Sequence, residues 1–262
     1  MLAAIVQARI TSTRLPGKVL KEVMGRPLLW YLIERLKRIK KDHKIIIATS
    51  THTQDNIIED FCRESSIDCF RGKHEDVLDR YYQCALAYKA DIIVRITADC
   101  PLIEPNIASN VIDSYLNDPS ADLVLTGPNY PEGFDTSVFP FKSLEIAWKE
   151  AKLKSDREHV TTYIWKNDKR FKIRTLSLEK DYSFLRLTVD EAVDFEVIKA
   201  VIEELYEGKG VAFLFGDILK LYEEKPYIFE KNQHIIRNEG YFKSLREDYI
   251  IDRKQQDEKD DT

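Results

Sequence analysis

Through its first hundred residues the chain alternates short, β-branched apolar runs with amphipathic segments, and this alternation restricts the fold more than any other feature. Residues 2–6, 44–49, 69–70 and 91–96 have the composition of buried strands. Between them, Pro27 opens a segment whose Leu29, Leu32, Ile33, Leu36 and Ile39 fall on one helical face, and residues 55–63 and 76–89 are also expected to be helical. Strands alternating with helices predict an α/β fold with a parallel sheet covered on both faces, and right-handed crossovers make it doubly wound. Residues 104–116 supply the next helix and 122–125 the next strand. The rhythm then breaks at Pro128, Pro131 and Gly133. A small α+β insertion is expected over about 128–182, with 134–141 and 171–178 extended and 144–154 and 157–165 helical. Residues 184–189 read as a further strand and 191–206 as a helix, closing a principal domain over 1–208. Residues 209–251 are expected to form a helical extension. The last stretch, 252–262, has five acids, three bases and no apolar residue, and reads as a disordered tail.

A chain of 262 residues buries enough surface to need neither disulfides nor a structural metal. The apolar run Leu28-Leu29-Trp30-Tyr31-Leu32-Ile33 falls far short of the roughly 20 residues a membrane span requires. The first residues lack a basic n-region, so no signal peptide is expected and the localisation reads as cytoplasmic. Cys62, Cys69, Cys84 and Cys100 show no C-x-x-C pair and no His at zinc spacing; they read as small buried hydrophobes. The net charge of −5 argues against a broad nucleic-acid surface but leaves room for a local basic pocket.

Residues 7–18 offer such a pocket. Arg9, Arg14 and Lys18 are interleaved with Thr11, Ser12 and Thr13 and closed by Pro16-Gly17. Forked guanidinium donors, a compact ammonium, hydroxyls and free backbone N–H groups together make an anion cradle. Charge alone describes a solvated loop equally well. The place directly after an apolar strand favours the cradle, because open parallel sheets bind ligands beyond the carboxyl ends of their strands. A Walker loop is excluded, since Ser12 stands where its first Gly belongs and Val19 follows Lys18. No G-x-G-x-x-G follows the first strand either.

Ile5-Val6-Gln7-Ala8-Arg9 with Ser12-Thr13-Arg14-Leu15-Pro16-Gly17-Lys18 resembles the N-terminal signature of cytidylyltransferases that make CMP-activated acidic sugars, among them the KDO and acylneuraminate enzymes. The match is best to the SpsF-type branch, named for spore coat polysaccharide biosynthesis. It continues through Phe70-Arg71-Gly72, Asp76-Val77-Leu78-Asp79-Arg80-Tyr81, Arg95-Ile96-Thr97-Ala98-Asp99-Cys100-Pro101-Leu102-Ile103, Arg157-Glu158-His159-Val160-Thr161 and Arg186-Leu187-Thr188-Val189-Asp190. Gln7 stands where KDO synthetases carry Pro, and Cys100 where they carry Glu; both suit the SpsF-type branch. The resemblance spans about residues 1–205 and implies a Rossmann-like, three-layer α/β/α nucleotide-diphospho-sugar transferase fold with a mixed, mainly parallel sheet. It also implies Mg²⁺-dependent transfer of CMP from CTP to an acidic sugar or related small acceptor, for surface polysaccharide synthesis, by a homodimer joined through the insertion's extended segments.

Asp99, at the end of an apolar strand, is well placed to hold Mg²⁺ against a triphosphate; a helix N-terminal carboxylate or a turn former is the lesser reading from the residues alone. The resemblance pairs it with Asp190 as the metal-holding carboxylates. Arg9, Lys18, Asp99 and Asp190 form the expected catalytic set, and Ala8, Ser12, Arg14, Arg71 and Thr97 join Arg9 and Lys18 around the nucleotide. Glu132, Asp135, Arg157, Glu158, His159 and Arg186 are expected around the acceptor. There Arg157 would clamp an anionic group and His159 act as a base or hydrogen-bond donor, though a His at a helix start is also commonly structural. The alternative is a glycosyltransferase of the same fold; it should carry a D-x-D motif, which is absent around Asp99.

Overall fold

The computed structural model describes residues 1–249, so the tail expected from 252 lies outside the described residues. The chain opens with β1 (Leu2–Gln7), and the basic loop after it leads into a short hairpin of β2 (Glu22–Val23) and β3 (Arg26–Pro27). α1 (Leu28–Leu36) starts directly after Pro27, and the apolar stripe expected there is buried along its length. β4 (Lys44–Ser50), α2 (Asn56–Glu64), β5 (Asp68–Gly72), α3 (Val77–Ala87), β6 (Ile92–Thr97), α4 (Pro105–Asn117) and β7 (Leu123–Thr126) continue the alternation. There follow β8 (Ser137–Pro140), α5 (Phe141–Glu150), α6 (Lys154–His159), α7 (Thr162–Lys166) and β9 (Ile173–Leu176). α8 (Ala192–Lys209), α9 (Phe215–Glu224), α10 (Pro226–Glu230) and α11 (Glu239–Arg246) complete the described chain.

The main sheet has the order β5-β4-β1-β6-β8-β7-β9, and every neighbouring pair is parallel except those β8 makes with β6 and β7. From β1 the chain runs outward through β4 to β5, then crosses back to set β6 on the other side of β1. The order therefore reverses between β1 and β6, and a crevice opens beyond their carboxyl ends. One apolar cluster packs α1, α2 and α4 against one sheet face, and a second packs α3, α5 and α7 against the other. A third joins the far side of α1 to α8, α9 and α10, so the C-terminal helices share a core with the rest. Fully buried Arg35 fastens this junction by donating to the carbonyls of Ile103, Val211 and Phe213. Of the expected insertion, β8 enters the sheet between β6 and β7 and β9 forms its far edge.

The strand expected over 184–189 is corrected. That segment makes a single parallel bridge, Glu132 with Arg186. Its backbone bonds to loops instead: Glu132 N–H donates to Leu185 O (3.0 Å), Leu187 N–H to Glu132 O (2.7 Å) and Val189 N–H to Asp99 O (2.8 Å). The alternation of Leu185, Leu187 and Val189 that mimics a strand buries these side chains in the third cluster. Gly133 permits this close run: its φ is +107°, and a Cβ there would lie 2.5 Å from the Leu187 carbonyl carbon. Gly133→Ala is therefore expected to destabilise the fold by about 3 kcal/mol, which a shift in the urea midpoint at unchanged slope would register.

Candidate active site

The crevice is a cleft of about 1480 Å³, lined by the loop after β1, the ends of β6 and β7, α6 and the C-terminal segment. The loop turns about one peptide: the Ile10 carbonyl accepts the N–H of both Ser12 and Gly17, each at 2.9 Å. Gly17, with φ +70°, then reverses the chain and delivers Lys18 inward. The Lys18 ammonium lies 2.8 Å from Asp190 Oδ1 and 3.0 Å from Asp99 Oδ2. Burial would pull its pKa down, but the two carboxylates prevail and hold it above the ordinary lysine value. Burial likewise pushes Asp99 upward, and Lys18 overrides it, leaving Asp99 at about 2. The two aspartates meet because the Asp99 carbonyl accepts from Val189 N–H at 2.8 Å and from the Thr188 hydroxyl at 3.2 Å. Arg14 reaches Asp190 at 2.9 Å.

Two carboxylates thus converge on one cation seat. Among the described residues no group of three or more His, Cys, Asp or Glu could hold a metal by itself. That donor set fits a hard ion such as Mg²⁺, which is commonly held by one or two carboxylates and completes its shell with substrate phosphates and water.

Ala8, Arg9, Ser12, Arg14, Lys18, Thr97, Asp99, Glu132, Asp135, Glu158, His159 and Asp190 all line the cleft. Three expected residues do not. Arg71 is tied to the carbonyls of Ser50 and His52 and to Glu59 at 2.8 Å. Arg157, almost fully buried, pairs with Asp76 at 2.6 Å and caps the carbonyls of Trp148 and Ala151. Arg186 is a buried hub that joins Glu132, Asp190 and Asp194. Its Asp194 also closes the capping box that starts α8.

Several residues with no expected site role have spare hydrogen-bonding capacity here. Gln7 Oε1, Arg80 Nε and Nη1, Arg95 Nε and Thr162 Oγ1 are buried without a partner, and all belong to cleft-lining residues. Unpaired buried polar groups are costly, so their convergence marks a place where a ligand completes the bonding. Arg80 is 1% exposed; burial, aided by Arg9, lowers its pKa to about 10, so it stays cationic. Its signal in the sequence is a cation between Val77 and Cys84 on the apolar face of α3.

The second unanticipated feature is the C-terminal segment. Arg237 donates to the carbonyls of Pro128 (2.8 Å) and Tyr130 (2.6 Å), Glu239 meets Arg14 at 3.3 Å, and Ser244 bonds both Glu158 and His159 at 3.0 Å. α11 buries no residue fully; besides these polar contacts, the Tyr241 ring packs edge-on against His159 (5.2 Å) and Trp165 (5.7 Å). Between α6 and α7, Val160 adopts φ +63°, a strained conformation for a β-branched residue, with its side chain fully buried.

Burial depresses His159 to a pKa of about 4, outweighing the nearby Glu158. Below the ordinary value of 6.5 the unfolded chain binds a proton that the folded protein refuses down to about 4. Stability is therefore expected to rise with pH between these limits. Urea midpoints measured across pH 4–6.5 check this, and His159→Gln should flatten the slope.

The cytidylyltransferase family model matches residues 3–237. The chain is 33% identical to the Bacillus subtilis spore coat polysaccharide biosynthesis protein SpsF over 85% of its length and 94% of that protein's. It is 41% identical to an uncharacterized Methanocaldococcus jannaschii protein over 75% of its own length and 81% of the other's. The structure of a cytidylyltransferase from Leptospira borgpetersenii superposes with a TM-score of 0.84 at 30% identity, covering 90% of this chain and 99% of that one. With a basic loop and a carboxylate pair at the switch point of a matching sheet, the chain belongs to the cytidylyltransferase family.

Proposed function

We propose that this cytidylyltransferase moves CMP from CTP to an acidic sugar or related small acceptor and releases pyrophosphate, for surface polysaccharide synthesis. The observation that carries the reading is the Lys18 ammonium held between Asp99 and Asp190 at the mouth of the phosphate loop. An acceptor hydroxyl attacks the α-phosphorus in line and gives up its proton to solvent, while the bond to the bridging oxygen breaks and pyrophosphate departs. Such chemistry needs positioning and charge neutralisation more than a protein nucleophile. Arg9, Arg14 and Lys18 bind the triphosphate and the leaving group, and Arg80 completes the anion site from α3. Asp99 and Asp190 would hold Mg²⁺, which neutralises charge on the phosphates when bound. Glu132, Asp135, Glu158 and His159 line the same cleft and are assigned to the acceptor side, where His159, which burial favours in its neutral form, would hydrogen-bond the acceptor. The name of the Bacillus relative supports the polysaccharide setting. The family match and the missing D-x-D weigh against the glycosyltransferase alternative. Among the described residues no helix is long and apolar enough to cross a membrane. Of the extended segments in 128–182 only β9 lies at a sheet edge, so a homodimer built through them would join there.

Arg80→Met is expected to weaken CTP binding about 10–100-fold, the worth of charge-assisted bonds to phosphate. Because the guanidinium has unpartnered donors, the same change should leave the melting temperature unchanged or raised. Calorimetric titration and thermal melts measure both. The reaction itself is tested by pyrophosphate release with each nucleoside triphosphate across a panel of acidic and neutral sugars. Release with CTP and an acidic sugar is expected. Release with another triphosphate alone, or breakdown of a nucleotide-sugar instead, would overturn the reading.

A further inference from the structure

Three strand ends are tied together beneath the phosphate loop by side chains that the reaction does not use. Asp55, fully buried just before α2, accepts the Ile10 N–H at 2.7 Å through Oδ1 and the Ser50 hydroxyl through Oδ2. Ser50, fully buried at the end of β4, lies 3.0 Å from His74 Nδ1, and His74 Nε2 lies 3.3 Å from the Thr11 hydroxyl. His74 follows β5, its ring 5.1 Å from that of His52, with Glu75 at 3.6 Å from Nε2. The chain Asp55–Ser50–His74–Thr11 thus joins the ends of β4 and β5 to the loop after β1.

Hydrogen-bond bookkeeping fixes its polarity. A carboxylate only accepts, so the single Ser50 hydroxyl proton goes to Asp55. Ser50 must then accept from His74, which places a proton on Nδ1. Burial outweighs the nearby Glu75 and holds the His74 pKa below the ordinary value; in the neutral ring, the proton that Ser50 requires on Nδ1 leaves Nε2 to accept from the Thr11 hydroxyl. Thr11 lines the cleft with only its oxygen lone pairs left to offer.

We propose that Asp55, Ser50 and His74 are positioning residues for the phosphate loop, acting through the Ile10 N–H and the Thr11 hydroxyl, and that they present Thr11 to the cleft as a hydrogen-bond acceptor. Ile10 is the point of leverage, because its carbonyl gathers Ser12 and Gly17 while its N–H is pinned to Asp55. Arg9, Arg14 and Lys18 all hang from that peptide. The group Thr11 meets is a donor, such as a ribose hydroxyl or a base amine, and not a phosphate oxygen; this last step rests on the nucleotide reading above.

The experiment is amide exchange and histidine ¹⁵N NMR on the full chain, followed by CTP titration and steady-state kinetics. In the free protein, Asp55→Asn and Ser50→Ala should each speed exchange of the Ile10 amide about tenfold or more, and His74 should show the neutral Nδ1–H form, lost in Ser50→Ala. Ser50→Ala repeats the test without altering a buried charge. Thr11→Val should lower kcat/KM for CTP about tenfold with an unmoved melting temperature, and Thr11→Ser should restore it. Unchanged Ile10 exchange in both relay variants, an Nε2–H form of His74, or full activity in Thr11→Val would overturn the proposal. Should the wild-type protein fail to bind CTP, the nucleotide reading falls, while the exchange and tautomer results still decide the relay.

Discussion

Lys18→Met is expected to lower the rate of pyrophosphate release by about 10²–10³-fold. The ammonium sits 2.8 and 3.0 Å from the two carboxylates, delivered there by the turn at Gly17. A methionine keeps the length of the stem and removes the charge. The loss should fall on kcat more than on KM, because the ammonium gains most from charge that develops on the leaving pyrophosphate. Lys18→Arg should not restore the rate, since a planar fork does not replace a point charge between two carboxylates. A second signature follows from linkage. In the wild-type protein Asp99 stays ionised down to about 2, so its contribution to stability is complete above the ordinary 3.8 and lost as pH falls through 2. Without Lys18 the buried carboxyl reverts upward, and acid unfolding of Lys18→Met should begin at higher pH. Steady-state kinetics and acid titrations followed by circular dichroism measure the two effects. Wild-type kcat in Lys18→Met would remove the ammonium from the chemistry.

Asp99→Asn should be more severe, with activity falling about 10³-fold or more. The substitution keeps size and shape, and the backbone bonds that tie Asp99 to Thr188 and Val189 do not depend on the side chain. The fold is therefore expected to persist, so the lost rate reports chemistry. An amide in place of the carboxylate halves the charge facing the cation seat, so added Mg²⁺ is expected to tighten CTP binding to the wild-type protein and not to the variant. Titrating CTP with and without Mg²⁺ in both proteins separates this from a general loss of affinity. Equal Mg²⁺ dependence in the two would show that Asp99 does not hold the ion.

The parts of the molecule that were legible in the sequence are those governed by local pattern. The stripe of Leu29, Leu32, Ile33 and Leu36 names both α1 and its buried face, and the apolar runs name β1, β4 and β6. The loop cations and Asp99 are visible because they directly follow such runs. What local pattern does not carry is how a charge is used. Arg71, Arg157 and Arg186 look like Arg80 in the sequence, yet the first three are occupied by carboxylates and carbonyls and Arg80 alone of the four keeps unpartnered donors at the cleft. Residues 184–189 show a different limit, because alternating burial there serves the third cluster while the backbone bonds to loops. The placement of α11 over Arg14, Glu158 and His159 depends on contacts across the whole chain, and nothing in residues 239–246 announces it.

The most direct test of the whole account follows the α-phosphorus. The protein is incubated with CTP labelled at that atom, Mg²⁺ and the acidic sugar that supports pyrophosphate release. The products are then separated by charge. The account predicts that the label leaves with the sugar in a CMP-linked product, and that Asp99→Asn forms none. Label recovered only as free CMP, or a sugar conjugate formed equally well by Asp99→Asn, would contradict it.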